Sequence, residues 1–214
     1  MEIEYKFYID AEQKYSEILE DEIWDNYKST PWTKHHFFAK YYDTPNSILG
    51  DNGLAFRVRK EDDIFVFTAK APGKLEGELS HRQEWNFPWQ DAPLDLNFLL
   101  NEISEELNDT QIELIRQADR VGISSELATD ITRYISTLRY KNALIEVVVD
   151  MGTLYGGKLS EACYEMELEL ISGEAEDLVE IANKIKSYFN LAPGIENKMA
   201  RCVRLKKESD RLGL

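Results

Sequence analysis

Cysteine is almost absent. The two that occur, Cys163 and Cys202 in 214 residues, are too few for a disulfide framework. That points to a reducing compartment. No apolar run approaches the ~20 residues of a membrane span. The opening Met1-Glu2-Ile3-Glu4-Tyr5-Lys6 has no apolar leader core and no cleavage site. The expectation is a cytoplasmic protein with no membrane partner. Basic residues are outnumbered, 25 against 40 acidic, for a net charge of -15. Such a surface repels nucleic acid at long range, so none is expected as a partner. A local pocket can still carry the opposite sign, and a divalent cation would screen part of the field. Histidine is scarce too. His35 and His36 are adjacent, and on a strand they point to opposite faces, which makes a poor chelate.

Hydrophobic residues make up 43% of the chain, enough to bury a real core. No repeat, low-complexity tract or long linker breaks the sequence, and residues 1–214 are expected to form one domain. Glu2 to Ile9 alternates as a strand. Asp10 suits an N-cap for a helix from Ala11 to about Tyr27, with Tyr15, Ile18, Leu19 and Ile23 on one stripe. Strand patterns follow at His36–Asp43, Gly53–Lys60, Ile64–Lys70 and Leu79–Phe87. Leu94–Asn108 and Thr110–Val121 read as helices, the second capped by Asp109. Strands return at Ile131–Tyr140, Ala143–Asp150 and Cys163–Ile171. An amphipathic helix at Glu174–Phe189 and a basic one from about Glu196 to Arg211 close the chain.

Side chains alternate faces along a strand, and here one face is charged in strand after strand. Glu2, Glu4 and Lys6 oppose Ile3, Tyr5 and Phe7. Arg57 and Arg59 oppose Phe56 and Val58; Thr68 and Lys70 oppose Phe67 and Ala69; Arg82, Glu84 and Asn86 oppose Trp85 and Phe87. Later, Arg133, Thr137 and Arg139 share a face. Glu146 and Asp150 oppose Val147 and Val149, and Glu165, Glu167 and Glu169 oppose Tyr164, Met166, Leu168 and Leu170. Any one such strand fits an ordinary half-solvated sheet. Together the charges are too undiluted, and too segregated by sign, for that reading. A closed barrel with its charged faces inward explains them better. Buried charges must be paired or bind ions, and a water-filled tunnel holding a polyanion and metal meets that condition. Glutamates two apart on a strand are ~6.7 Å apart at Cα, and those on neighbouring strands ~4.8 Å. Both gaps can be bridged to one hard cation such as Mg²⁺ or Mn²⁺. Arginine suits phosphate oxygens as a bidentate donor, lysine as a point charge.

Glu2-Ile3-Glu4-Tyr5-Lys6 matches the ExExK signature of the CYTH superfamily, the triphosphate tunnel metalloenzymes. Further motifs follow in the family's order: Tyr41-Tyr42-Asp43-Thr44-Pro45, Leu54-Ala55-Phe56-Arg57-Val58-Arg59, Thr68-Ala69-Lys70, Arg82-Gln83-Glu84-Trp85, Arg133, Asp150, Glu165-Met166-Glu167-Leu168-Glu169 and Lys198-Met199-Ala200-Arg201. The chain resembles bacterial inorganic triphosphatases in particular. No counterpart of the helical domain that follows the CYTH domain there falls within these residues.

The resemblance implies an α+β fold, a closed eight-stranded antiparallel barrel with helices outside. It implies metal-dependent hydrolysis of a small-molecule triphosphate, inorganic triphosphate first, with Mg²⁺ or Mn²⁺. Glu2, Glu4, Asp150, Glu165, Glu167 and Glu169 are then expected at the metal. Lys6, Arg57, Arg59, Lys70, Arg82, Arg133, Lys198 and Arg201 are expected on phosphate. Glu4, Glu165 and Lys198 are the catalytic candidates, and either a second metal or Glu165 with Lys198 is expected to orient the water. Lys198 and Arg201 share a helix face, and that helix could lid the tunnel. Arg139 and Lys141 fall near a hairpin and could equally lie on the surface. A class IV adenylyl cyclase, a thiamine- or nucleoside-triphosphatase and a non-catalytic polyphosphate binder are the alternatives. A closed barrel leaves no free sheet edge, so a monomer or a helix-mediated homodimer is expected.

Overall fold

A computed structural model describes residues 2–10, 12–27 and 30–214; the expected helix start at Ala11 lies outside them. Strand β1 (Glu2–Tyr8) is followed by two short helices, α1 (Glu12–Glu20) and α2 (Ile23–Tyr27). One helix was expected here. The chain breaks at Asp21, whose carboxylate accepts the Ile23 amide at 2.8 Å and so starts the second. Next come β2 (Thr33–Asp43), α3 (Ile48–Asp51), β3 (Ala55–Glu61), β4 (Ile64–Lys70), β5 (Lys74–Glu76), β6 (Leu79–Arg82) and β7 (Glu84–Trp89). Helices α4 (Leu96–Ile103) and α5 (Asp109–Val121) follow, joined through a 3-10 turn at Ser104–Glu106. Asn108, not Asp109, caps α5, in a capping box with Gln111. The chain ends with β8 (Ser124–Tyr140), β9 (Ala143–Gly156), β10 (Leu159–Ser172), α6 (Ala175–Phe189), β11 (Ala192–Pro193) and α7 (Lys198–Leu212).

The strands form one antiparallel sheet in the order β5-β6-β1-β10-β9-β8-β2-β3-β4-β7, with β11 attached to β1. The expected closed eight-stranded barrel is therefore not what the ladders draw. Ten strands lie on the path for two reasons. The short β5 was not anticipated, and the expected Leu79–Phe87 strand bends at Gln83 and splits. Its first half, β6, pairs with β1, and its second half, β7, pairs with β4. The sheet thus curls until its flanks meet at a covalent bend, where Ala71 N donates to Gln83 O at 3.1 Å.

Apolar residues lie on the outer face under helices. Ile145, Val147, Val149, Met166 and Leu168 pack beneath α1 and α6 with Ile18, Leu178, Ile181 and Ile185. Phe56, Val58 and Phe67 pack beneath α4 and α5 with Leu96, Leu99 and Ile115. The tryptophans serve this packing: Trp24 meets Trp32 edge-on and stacks on Phe189, and Trp89 packs on Phe67 and Phe98. Helix α7 lies directly on the β9 backbone. A Cβ at Gly156 would stand 2.1 Å from Cys202 O, and one at Gly157 2.7 Å from Ser209 Oγ. Among the described residues, no helix is long and apolar enough to cross a membrane.

Candidate functional site

The inner face of the curl encloses a cavity of about 260 Å³. Its wall contains Glu2, Glu4, Lys6, Arg57, Arg59, Lys70, Arg82, Arg133, Glu167, Glu169 and Lys198, all expected from sequence. Asp150, Glu165 and Arg201 are not on that wall. Asp150 and Glu165 are both 0% exposed and sit behind it.

The cavity has two poles. At one, three neighbouring strands set carboxylates side by side: the ladders pair Glu4 with Glu169 and Glu169 with Glu146. Burial, followed by the charges of Glu2, Glu146, Glu4 and Glu84, pushes Glu169 up to about 8. Burial also raises Glu2 to about 7, although Lys70 opposes the shift. Lys70 stands 2.9 Å from Glu2 Oε1 and also pairs with Glu84. One lysine cannot neutralise both carboxylates. Against its own burial, Glu84 is held down at about 2 by Lys70 and Arg57, and Glu2 is left undercompensated.

At the other pole, Arg57, Arg59 and Arg133 converge. The Arg59 and Arg133 guanidiniums lie over the Phe37 ring, at 4.7 and 5.2 Å from its centroid. Burial, with Arg57 and Arg133 adding to it, pushes Arg59 down to about 10. Arg57 Nε is buried with no hydrogen-bond partner, a donor that an anion in the cavity would satisfy. Between the poles runs a chain of ion pairs. Arg133 grips Asp150 with two bonds, 2.8 and 2.7 Å. Lys198 reaches Asp150 at 2.9 Å, Glu165 at 2.6 Å and Glu167 at 3.1 Å. Lys6 reaches Glu167 at 3.0 Å. Both Glu165 oxygens are occupied, one by Lys198 and the other by Arg201 at 2.6 Å. Lys198 and Arg201 do share one face of α7, the face turned to β10.

Sequence reasoning gave no role to several wall residues, although it set Glu146 and Asn86 on the inward face. Tyr41, Glu146, Asn86 and Asn197 line the cavity. Glu146 carried the signal, sharing inward parity with Asp150. Tyr41 carried only its place in the Tyr41-Tyr42 motif, because the inner face of β2 is otherwise apolar or neutral. Tyr41 and Glu84 favour the charged form of Arg57 against the burial that opposes it. The Asp43-Thr44 motif is structural: Asp43 accepts the Thr44, Leu49 and Gly50 amides at 2.7–2.9 Å and anchors α3. Arg139 is exposed, and Lys141 pairs with Glu180 and Asp177 on the surface. Burial raises the Cys163 thiol to about 12, so it is not a nucleophile.

Among the described residues, no three His, Cys, Asp or Glu side chains stand ready to hold a metal ion. The donor chemistry at the acidic pole nonetheless fits a hard divalent cation: Glu2, Glu4 and Glu169 offer all-oxygen ligands, and burial pushes two of them, Glu2 and Glu169, up to about 7 and about 8. The raised groups make a prediction. Between about 4.5 and 8 the folded state binds protons that the unfolded chain releases, so stability falls as pH rises through that window. Melts in chelator should give a lower Tm at pH 8.5 than at pH 5.5. A flat or rising profile would remove the crowding.

Beside the cavity lies a larger groove of about 740 Å³, between α3 and α7, with an apolar floor that includes Leu54, Ala55, Met199 and Val203. Ala55, Arg82, Asn197 and Met199 line both spaces.

A model described as the CYTH domain matches residues 1–203. The inorganic triphosphatase of Haemophilus influenzae is 27% identical over 147 residues, which is 68% of this chain and 39% of that protein. The chain thus spans about two fifths of that relative's length. Among solved structures, a candidate adenylyl cyclase from Hippeastrum with a dominant triphosphatase activity superposes with a TM-score of 0.57 at 17% identity, covering 94% of this chain and 95% of that one. A candidate adenylate cyclase from Bacillus halodurans gives 0.56 at 19%, covering 94% and 96%. At these identities the structural likeness establishes the fold.

Proposed function

The chain belongs to the CYTH family, and from that membership we propose that the cavity binds a triphosphate with a divalent cation and hydrolyses a phosphoanhydride bond. Inorganic triphosphate, split to pyrophosphate and phosphate, is the substrate we favour. The curl is read as a closed tunnel and residues 1–214 as one cytoplasmic domain, monomeric or homodimeric, acting on a small molecule. The observation that carries the reading is the separation of charge within one small cavity, with the unpartnered Arg57 Nε at its basic pole. At about 260 Å³ the cavity falls just under the ~300–1,000 Å³ of sites that enclose an organic ligand.

Arg57, Arg59 and Arg133 are assigned to phosphoryl oxygens, with Arg82 at the mouth. Glu2, Glu4 and Glu169 would hold Mg²⁺ or Mn²⁺, with Glu167 nearby. When bound, that ion supplies neutralisation of phosphoryl charge and a template for in-line geometry. Lys6 and Lys70 now rest on carboxylates and are assigned to phosphate once substrate arrives. Asp150 and Glu165 hold Arg133, Lys198 and Arg201 in place from behind, and Lys198 orients the attacking water or the terminal phosphoryl group. Two unit charges 4 Å apart attract by ~4 kcal/mol at an effective dielectric of 20. Several preorganised contacts of that size stabilise the charge developing on the leaving pyrophosphate without a covalent intermediate.

The neighbouring groove favours a second reading. Its apolar floor could take the organic part of a nucleoside or thiamine triphosphate, and a cyclase would hold its ribose there. The deciding experiment is phosphate release from inorganic triphosphate, ATP and thiamine triphosphate, each with Mg²⁺, Mn²⁺ or chelator, with chromatography of the ATP products. Metal-dependent turnover of inorganic triphosphate above the others is expected. Cyclic AMP from ATP without phosphate release would replace hydrolysis by cyclisation, and silence on every substrate would end the enzymatic reading.

A further inference from the structure

The segment between α6 and α7 does more than connect them. Pro193 and Ala192 pair with Phe7 and Tyr8, and Gly194 N donates to Lys6 O at 2.8 Å. Gly194 is thus the cross-strand neighbour of Lys6, on the side opposite Glu167, which pairs with Lys6 in the β1·β10 ladder. The Lys6 stem fills the space where a Gly194 side chain would begin. An added Cβ would lie 2.4 Å from Lys6 Cγ, 3.0 Å from Cδ and 3.2 Å from its carbonyl carbon. Cγ is near the root of the side chain, so it cannot swing clear as a terminal atom could. Gly194 lies just past the end of β11, where a missing side chain permits such a close approach. The Gly194 backbone is not in the left-handed region, so no conformational need explains glycine here; only space does.

The same segment sets a second lysine. Tyr8 Oη accepts the Glu196 amide at 2.9 Å and lies 3.0 Å from Glu196 O, Asn197 caps α7, and Lys198 is the first residue of that helix. Lys6 and Lys198 then meet the same oxygen, Glu167 Oε1, at 3.0 and 3.1 Å.

We propose that Gly194 is a positioning residue for the triphosphate site: its missing side chain is what lets Lys6 lie against the cavity wall with its ammonium beside Glu167, opposite Lys198. The proposal rests on the reading of the cavity as a triphosphate site. A Cβ at position 194 forces the Lys6 stem off its rotamer and moves the ammonium by a fraction of an ångström or more. Displacements of about 1 Å in a preorganised site cost up to ~10²-fold in rate.

The test is a double-mutant cycle on inorganic triphosphate, read by calorimetric binding and by turnover, with Gly194→Ala, Lys6→Ala and the pair. Lys6→Ala keeps Cβ but removes the Cγ and Cδ that the new methyl would strike. Gly194→Ala alone should weaken binding and kcat/KM by ten-fold or more. In the Lys6→Ala background it should add less than two-fold, because its target is gone. Equal losses from Gly194→Ala in both backgrounds would mean a general packing defect and would overturn the proposal. So would wild-type binding and turnover in Gly194→Ala. If Lys6→Ala itself leaves triphosphate binding unchanged, the cavity reading fails first, so the two failures are told apart.

Discussion

Replacing Glu4 with alanine should reduce metal-dependent turnover by about 10³-fold, a rise of ~4 kcal/mol in the barrier, while the chelated protein melts no lower than wild type. Glu4 sits opposite Glu169 in the ladder, and its nearest base, Lys6, is 4.0 Å away. It is therefore held by no strong ion pair, and the folded state gains little from it. Its charge is one of those that push Glu169 up. Removing it relieves repulsion, so Tm in chelator should stay level or rise slightly near pH 8. With excess Mg²⁺ or Mn²⁺ the order should reverse, because a ligand that binds only the native state stabilises it and the variant has lost a donor. Loss of activity, a steady chelated Tm and a lost metal-induced rise together identify a residue kept for chemistry. Full turnover by Glu4→Ala would sink the assignment of this pole to metal. A large drop in the chelated Tm would make Glu4 structural.

Such a residue could be chosen from sequence because parity is rigid. Along β1, β3 and β10 the period of two fixes which side chains share a face, and the charged sets at Glu2-Glu4-Lys6, Arg57-Arg59 and Glu165-Glu167-Glu169 do face the interior. Depth was not legible. Glu165 and Glu167 have the same parity, yet only Glu167 reaches the cavity wall; Glu165 is sealed beneath Lys198 and Arg201. That distinction depends on α7, whose approach to β9 is set by the tight contacts at Gly156 and Gly157, with no local pattern to announce it. The strand extensions at Ser124–Asp130 and Met151–Gly156 were missed for a related reason. Their sequences are polar or glycine-bearing, and they become strands because long partners run beside them. The bend at Gln83 was equally hidden: the polar run Ser80–Glu84 blurs the alternation there without marking a break, and the division reflects two ladder partners competing for one segment.

Depth is what makes Asp150 the position with the largest stability effect. It is 0% exposed and accepts two bonds from Arg133 and one from Lys198. Both cations are largely buried, with 15% and 9% of their side chains exposed, and Lys198 keeps Glu165 and Glu167 if Asp150 is lost, so Arg133 bears most of the loss. Asp150 is held well within its ionised range because Arg133 and then Lys198 outweigh the burial that opposes ionisation. Among the described residues, Asp150→Ala leaves Arg133 with the Glu167 oxygen at 3.4 Å as its one remaining ion pair. Breaking one side of a buried pair costs about 3–5 kcal/mol, which for a chain of this size lowers Tm by roughly 6–20 °C. The loss should barely respond to salt, since enclosed charges are poorly screened. The half-exposed Arg204–Glu161 contact is the internal control: Arg204→Ala should shift Tm by a degree or two at most. Asp150→Asn, which keeps shape but not charge, should fall between wild type and alanine. If Asp150→Ala melts within 2 °C of wild type, Arg133 must find another counterion, and Asp150 is then free to serve the cavity directly instead of holding its arginine from behind.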